Sequence, residues 1–353
     1  MASFHGMKDH GKDHGKEQDK EKGAVLLTTL LIMSTMAILA IIMVEDILLA
    51  VKRTAHIEAE AQAEWYMDGA SDYTDVFLSQ ALAVEDKSLI NGRLREEVNG
   101  VFPIEEGVMS LSIRDSSNCL SLLLLSQPDG AEIFSLLFET LGWERRIARS
   151  HAARLTDWVD ADEIPQPQNG AEDFFYLGLN KPHRAANTHF ASVFEMRALG
   201  LFEPREFDFL RPFICARKPD TADSLVAPSQ LNLNTLTVEQ APLLAVALGR
   251  AEHLQLAQEL ITNRPPAGWP DLEAFWAAPS LEEFDQSEAF AEALLGIEPN
   301  HVWVDVAVSY LSLEKRAAFE YRLNEDDLDM TYRYIGEESH WPRPINLLQT
   351  DDL

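Results

Sequence analysis

The sequence predicts an α+β fold: a long N-terminal helix packed on an antiparallel sheet, with a large, mostly α-helical insertion between the strands. Three observations lead there. Residues 24–44 carry no charge, and a helical pattern runs on from them to about Leu82 without a proline. Short apolar/polar alternations lie near residue 110 and again over 301–334. Between them, the apolar residues recur at helical spacing. With 353 residues, 46% of them hydrophobic, the chain can bury a sizeable core.

The helix comes first. An uncharged run of this length covers a hydrocarbon core of ~30 Å at ~1.5 Å per residue. Its only polar residues, Thr28, Thr29, Ser34 and Thr35, are tolerable in lipid. A secretory signal would be shorter and would end at a small-residue cleavage site, whereas this run continues into VEDILLAVKRTAHIEAEAQAEW without a breaker. There Ile47, Leu48, Val51, Ala55, Ala59, Ala63 and Tyr66 form one stripe opposite Lys52, Arg53, Glu58, Glu60 and Glu64. The prediction is a helix of roughly 60 residues, half in lipid and half in water.

The leader before it repeats KDHGKDHG, and its five lysines cancel its five acids. Its histidines offer weak metal ligands, but the polar, glycine-broken composition reads as a solvated, disordered tail. The formal net charge of -29 therefore belongs to residue 24 onward, and a surface of that sign repels phosphate, which argues against nucleic acid as a partner.

Beyond the helix, NGRLREEVNGVF breaks the pattern, and VMSLSIRD alternates Met109, Leu111 and Ile113 with Val108, Ser110 and Ser112. Near the C-terminus Val302, Val304, Val306 and Val308 share a face. Phe319, Tyr321 and Leu323 alternate in a second strand, and Met330, Tyr332 and Tyr334 in a third. These make four strands of one antiparallel sheet. The segment between reads as helices, with Ser192 and Thr237 as N-caps and Asn232, Asn234 and Thr235 capping a following helix. LNLNTLTVEQAPLLAVALG is similar to the start of a helix-hairpin-helix or SAM-like module. Only Gly249 follows it, without a GxG hairpin or a basic patch, so packing rather than DNA binding is expected.

The junction Lys20, Glu21, Lys22, Gly23, Ala24 resembles that of type IV pilins and pseudopilins. The resemblance implies cleavage by a prepilin peptidase between Gly23 and Ala24 and N-methylation of Ala24. Most members carry a glutamate at the fifth mature position, which pairs with a neighbour's amino terminus. Thr28 stands there, and an unpaired carboxylate in lipid is costly, so the subunit has no such neighbour to satisfy. The blocks LTDWVDADEIPQPQNGAEDFFYL, PHRAANTHFASVFEMRAL, RPFICA, LNLNTLTVEQAPLLAVAL and RPPAGWPDLEAF resemble, in order, the minor pseudopilin K family of type II secretion. The implied segments are a cleaved leader over 1–23, a membrane span over 24–44 and a periplasmic helix over 45–85. A first pilin-like part over 86–124, the helical insertion over 125–295, and terminal strands and tail over 296–353 complete the chain.

Asp157, Asp160, Asp162, Glu163, Glu172 and Asp173 surround the turn PQPQNG. A loop that folds carboxylates together needs a hard cation to relieve their repulsion; otherwise it is a solvated acidic loop without an EF-hand frame. The family resemblance implies calcium, with Asp157, Asp160, Asp162, Glu172 and Asp173 as ligands. In an oxidising periplasm Cys119 and Cys215 can pair, the alternative being two buried thiols. There is no GxSxG or HExxH, and His151, His183 and His189 form no ligand spacing, so catalysis is not expected.

The resemblance implies an inner-membrane subunit with its N-terminus in the cytoplasm, which Lys20 and Lys22 also favour. It would sit at the pseudopilus tip, start assembly, limit length and support export of folded proteins. Its partners would be the I, J and H minor pseudopilins, the prepilin peptidase, the inner-membrane secretion platform and the secreted cargo. Leu48, Val51 and Ala55 would carry the helix contacts. The rival reading is a single-pass anchored periplasmic binding protein whose acidic head captures a cation.

Overall fold

The computed structural model describes residues 13–82, 87–96, 98–219, 230–282, 284–285, 294–323 and 328–336. The chain divides into two compact units, residues 1–62 and 63–353. Helix α1, Asp13–Leu82, starts within the segment expected to be disordered: no proline separates that segment from the apolar run, and its single glycines, Gly15 and Gly23, do not interrupt the helix. The first twelve residues lie outside the described residues, as does the metal reading of the leader histidines.

In the first unit, α1 is long and apolar enough to cross a membrane. The hydroxyls of Thr28, Thr29 and Thr35 donate to carbonyls one turn back at 2.8–2.9 Å, and Ser34 does so at 2.7 Å. No donor in that stretch needs water.

The second unit holds two hydrophobic cores. One lies between the end of α1 and a five-stranded sheet, where Ala63, Met67, Ala70 and Leu78 face the strands. The sheet is antiparallel throughout, in the order β1 (Val98–Ile104), β2 (Gly107–Asp115), β7 (His301–Tyr310), β8 (Leu313–Leu323), β9 (Leu328–Ile335). Met109, Leu111 and Ile113 of β2, the four valines of β7, and Phe319, Tyr321 and Leu323 of β8 fill this core as their alternation predicts.

Two elements in the segment read as a break are regular. Helix α2 spans Lys87–Arg95, and β1 adds a fifth strand whose weak pattern comes from its edge position and Pro103. The last strand also departs from expectation. A register shift between Glu320 and Tyr321 sets Met330 opposite Tyr321, but Tyr332 and Tyr334 opposite Glu320 and Ala318, so the three do not share a face.

The chain leaves the sheet after Asp115 and rejoins it at His301, between two adjacent strands. Its helical core runs from Leu120 to Leu295. The helices are α3 (Gly130–Thr140), α4 (Arg145–Val159), α5 (Asp173–Leu177), α6 (Pro204–Leu210), α7 (Ala241–Ala247), α8 (Leu254–Thr262) and α9 (Leu272–Trp276). Two-residue parallel bridges tie the segments together: β3 (Leu120–Ser121) to β4 (Ile214–Cys215), and β5 (Leu231–Asn232) to β6 (Leu295–Gly296). Ser192 and Thr237 both form capping boxes, with Glu195 and Gln240.

Asn232, Asn234 and Thr235 cap no helix. Asn232 Nδ2 donates to Asn91 Oδ1 at 2.9 Å and to Asp115 Oδ2 at 2.7 Å, and the Thr235 hydroxyl donates to Asp115 Oδ2 at 2.5 Å. Asn234 Nδ2 reaches the carbonyls of Trp269 and Ile297. These polar residues satisfy buried groups where the insertion meets the sheet, a demand that exists only in the folded chain.

Candidate metal centre

Helix α4 is amphipathic, with Ala148, Ala152, Leu155 and Val159 turned into the helical core. Asp157 sits on its last turn, fully buried, and Asp160 is the residue that ends it. The chain then loops through PQPQNG and enters α5, with Glu172 as the residue before the helix. The loop folds back because Asp157 accepts the Gln166 N–H at 3.1 and 3.3 Å. Asn169, with φ of 71°, ties it to Ser150 and Arg154. Gly170 permits the approach: a Cβ there would collide with the Asp157 carboxylate and lie 2.5 Å from Gln166 N.

One carboxylate oxygen from each of Asp157, Asp160 and Glu172 lies within 4.8 Å of the others. Burial raises the Asp157 carboxyl to about 6, against the backbone N–H bonds that favour its charge. Glu172 is pushed up to about 7 by burial, then by repulsion from Asp157 and Asp160. Asp160 is raised by burial and then by repulsion from Asp162, against hydrogen bonds from the Gln166 side chain and the Asp162 backbone. Asp160 Oδ1 and Glu172 Oε1 are buried without a hydrogen-bond partner. Three convergent carboxylates with unused lone pairs and no basic side chain among them fit a hard cation, which would supply the missing positive charge.

Asp162 and Asp173 stand outside this trio. Asp162 Oδ1 accepts the Ile164 N–H at 2.7 Å; Asp173 Oδ1 accepts the Ala185 N–H at 2.9 Å, and Oδ2 lies 3.5 Å from Arg184. The sequence reading missed Gln166 and Gly170 as the residues that hold the loop, although the turn PQPQNG marked the place.

Cys119 and Cys215 are joined in a disulfide with a Cα–Cα distance of 5.8 Å. Beside it is a buried ionic group that the sequence reading did not find. Arg217 donates from Nε to Cys215 Sγ at 3.3 Å and from Nη2 to the Ser116 carbonyl at 2.5 Å and Cys119 Sγ at 3.2 Å; Nη2 lies 3.7 Å from Glu320 Oε1. Gly23 and Ala24 lie within α1, and Leu48, Val51 and Ala55 are exposed on it. His151, His183 and His189 pack separately: His151 against Phe202, His183 against Tyr176, and His189 near Ser126.

The family described as "Type II secretion system (T2SS), protein K" matches residues 110–219 and 231–298. The chain is similar to type II secretion system protein K of Aeromonas hydrophila, 31% identical over 71% of this chain and 78% of that one. Protein K of Pectobacterium carotovorum subsp. carotovorum is 28% identical over 81% and 88%. Among solved structures, a chain in the crystal structure of the GspK-GspI-GspJ complex of the enterotoxigenic Escherichia coli type 2 secretion system superposes with a TM-score of 0.68. It is 24% identical, and the match covers 81% of this chain and 99% of that one.

Proposed function

The chain belongs to the protein K family of the type II secretion system, the minor pseudopilins, and on that premise we propose that it is the tip subunit of the pseudopilus. In this reading it is cut between Gly23 and Ala24 by the prepilin peptidase and N-methylated at Ala24. It is held in the inner membrane by residues 24–44, with its N-terminus in the cytoplasm and the rest in the periplasm.

The observation that carries the tip position is Thr28. A subunit within the filament needs an acid at that place to meet the amino terminus of a neighbour; here a hydroxyl donates instead to the Val25 carbonyl at 2.9 Å, within its own helix. Leu48, Val51 and Ala55 would pack against the helices of the I, J and H minor pseudopilins, start growth at the secretion platform, and leave the insertion toward the cargo. The relation to the GspK-GspI-GspJ complex supports I and J as the first partners.

The same proposal takes calcium as a structural cation of the insertion, held by Asp157, Asp160 and Glu172. The chain's own residues position it: Gln166 and Gly170 keep the loop closed on Asp157. The first test is mass spectrometry of the intact N-terminal peptide from membrane-extracted protein, with and without the prepilin peptidase. N-methylated Ala24 only in its presence is expected; an uncut leader in both strains would return the single-pass binding protein as the better reading.

A further inference from the structure

A cleft of about 710 Å³ runs between α3 and α4, closed on one side by residues 249–252 and on another by the Gln166–Gln168 turn. It is separate in chemistry from the carboxylate trio. Its floor is built of small residues, Ser135, Ala152 and Ala153, and its rim carries three guanidinium groups, Arg145, Arg149 and Arg250, in a chain whose formal net charge is -29. The opposing carboxylates are Glu132, Glu139 and Glu252, of which Glu139 is engaged by Arg145 at 2.9 Å. Arg149 is exposed and has no ion pair or hydrogen bond among the described residues.

Helix stability does not explain the arginines. Arg145 and Arg149 lie in the first two turns of α4, the end where the helix dipole disfavours cations. The side chain of Gln168, which borders the cleft on the loop tied down by Asp157, adds a neutral donor and acceptor suited to a peptide backbone, whereas the Gln166 side-chain amide is engaged by Asp160. From Ala131 to Glu139 the α3 wall is about 12 Å long, room for about three or four residues of extended chain.

We propose that this cleft binds an extended peptide segment bearing a carboxylate side chain, with the Arg149 guanidinium taking the carboxylate and Gln168 the backbone. A planar guanidinium matches a carboxylate with two parallel N–H···O bonds, whereas basic peptides would be drawn to the acidic surface at large. The inference does not depend on the cation or on the position of the subunit in a filament.

The test uses the full chain in neutral detergent micelles and fluorescence polarisation of two labelled pentapeptides, glycine alternating with glutamate and glycine alternating with lysine. The glutamate peptide binds, and Arg149→Glu weakens it by about tenfold or more. Arg149→Gln weakens it less and guards against misfolding, which a melting curve checks. Arg146→Glu, on the same helix but outside the cleft, leaves the affinity within about twofold. Equal loss in Arg146→Glu, tighter binding of the lysine peptide, or no binding of the glutamate peptide would overturn the proposal.

Discussion

Two buried charged groups, one where the insertion meets strand β8 and one within the insertion, solve the same problem differently. Around the disulfide, Arg217 and Glu320 are each almost inaccessible. Burial lowers the guanidinium and raises the carboxyl, but each lies opposite the other, and Arg217 also meets a carbonyl and both sulfurs. At the end of α4, Asp157, Asp160 and Glu172 are all acids, and the groups that meet them are backbone N–H donors, the neutral Gln166 side chain and other carboxylates. The first group is neutralised by the chain itself; in the second the described residues supply no counter-charge, which is what motivates the proposed cation. Burial alone does not point to a ligand site; burial without an internal counter-charge is the feature the proposal rests on.

The largest expected effect breaks the balanced group. Arg217→Met leaves Glu320 buried without a counter-charge and should cost about 4 kcal/mol in chemical denaturation, and adding Glu320→Gln should restore most of it. A loss below about 1 kcal/mol for the single change would mean that the pair is not what holds the junction.

The next completes the unbalanced group. Calcium at about 100 times its Kd should stabilise the wild type by about 2.7 kcal/mol. Asp160→Asn or Glu172→Gln should abolish the shift in melting temperature, and Asp162→Asn should keep it. An equal calcium shift in all four proteins would leave the trio without a ligand role.

Acidity should sharpen the contrast further. The folded pKa values of Asp157 and Glu172, about 6 and about 7, lie above those of an unfolded carboxylate, so the folded chain holds more protons between pH ~4 and ~7. Without cation, stability should fall from pH 5 to pH 8, and calcium should stabilise more at pH 8 than at pH 5. A cation-free melting temperature that rises over this range would contradict the assignment.

The smallest effect is steric. Gly170→Ala pushes a methyl group against the Asp157 carboxylate and Gln166 N, and should cost about 1 to 2 kcal/mol while weakening the calcium response. Calorimetry of the variant with and without calcium reads both quantities.

The long helix, the strands β2, β7 and β8, and the N-caps Ser192 and Thr237 were legible in the sequence, because the side-chain period and the cap residue are local signals. The six acids around PQPQNG were legible as a cluster, but which three converge depends on where α4 stops and how far Gly170 lets the loop return. Edge strand β1 escaped, and in β9, which was read as a strand, the common face of Met330, Tyr332 and Tyr334 did not hold, because both patterns are set by a neighbour's register.

By itself, then, the sequence determined the elements whose burial repeats along the chain, and the chemistry available to the acidic loop. The tertiary structure alone decided the partners of Asp115, Arg217 and Asn232. Their hydrogen bonds join residues more than a hundred positions apart or close across the disulfide, and no local pattern encodes a contact that exists only after the insertion has folded onto the sheet.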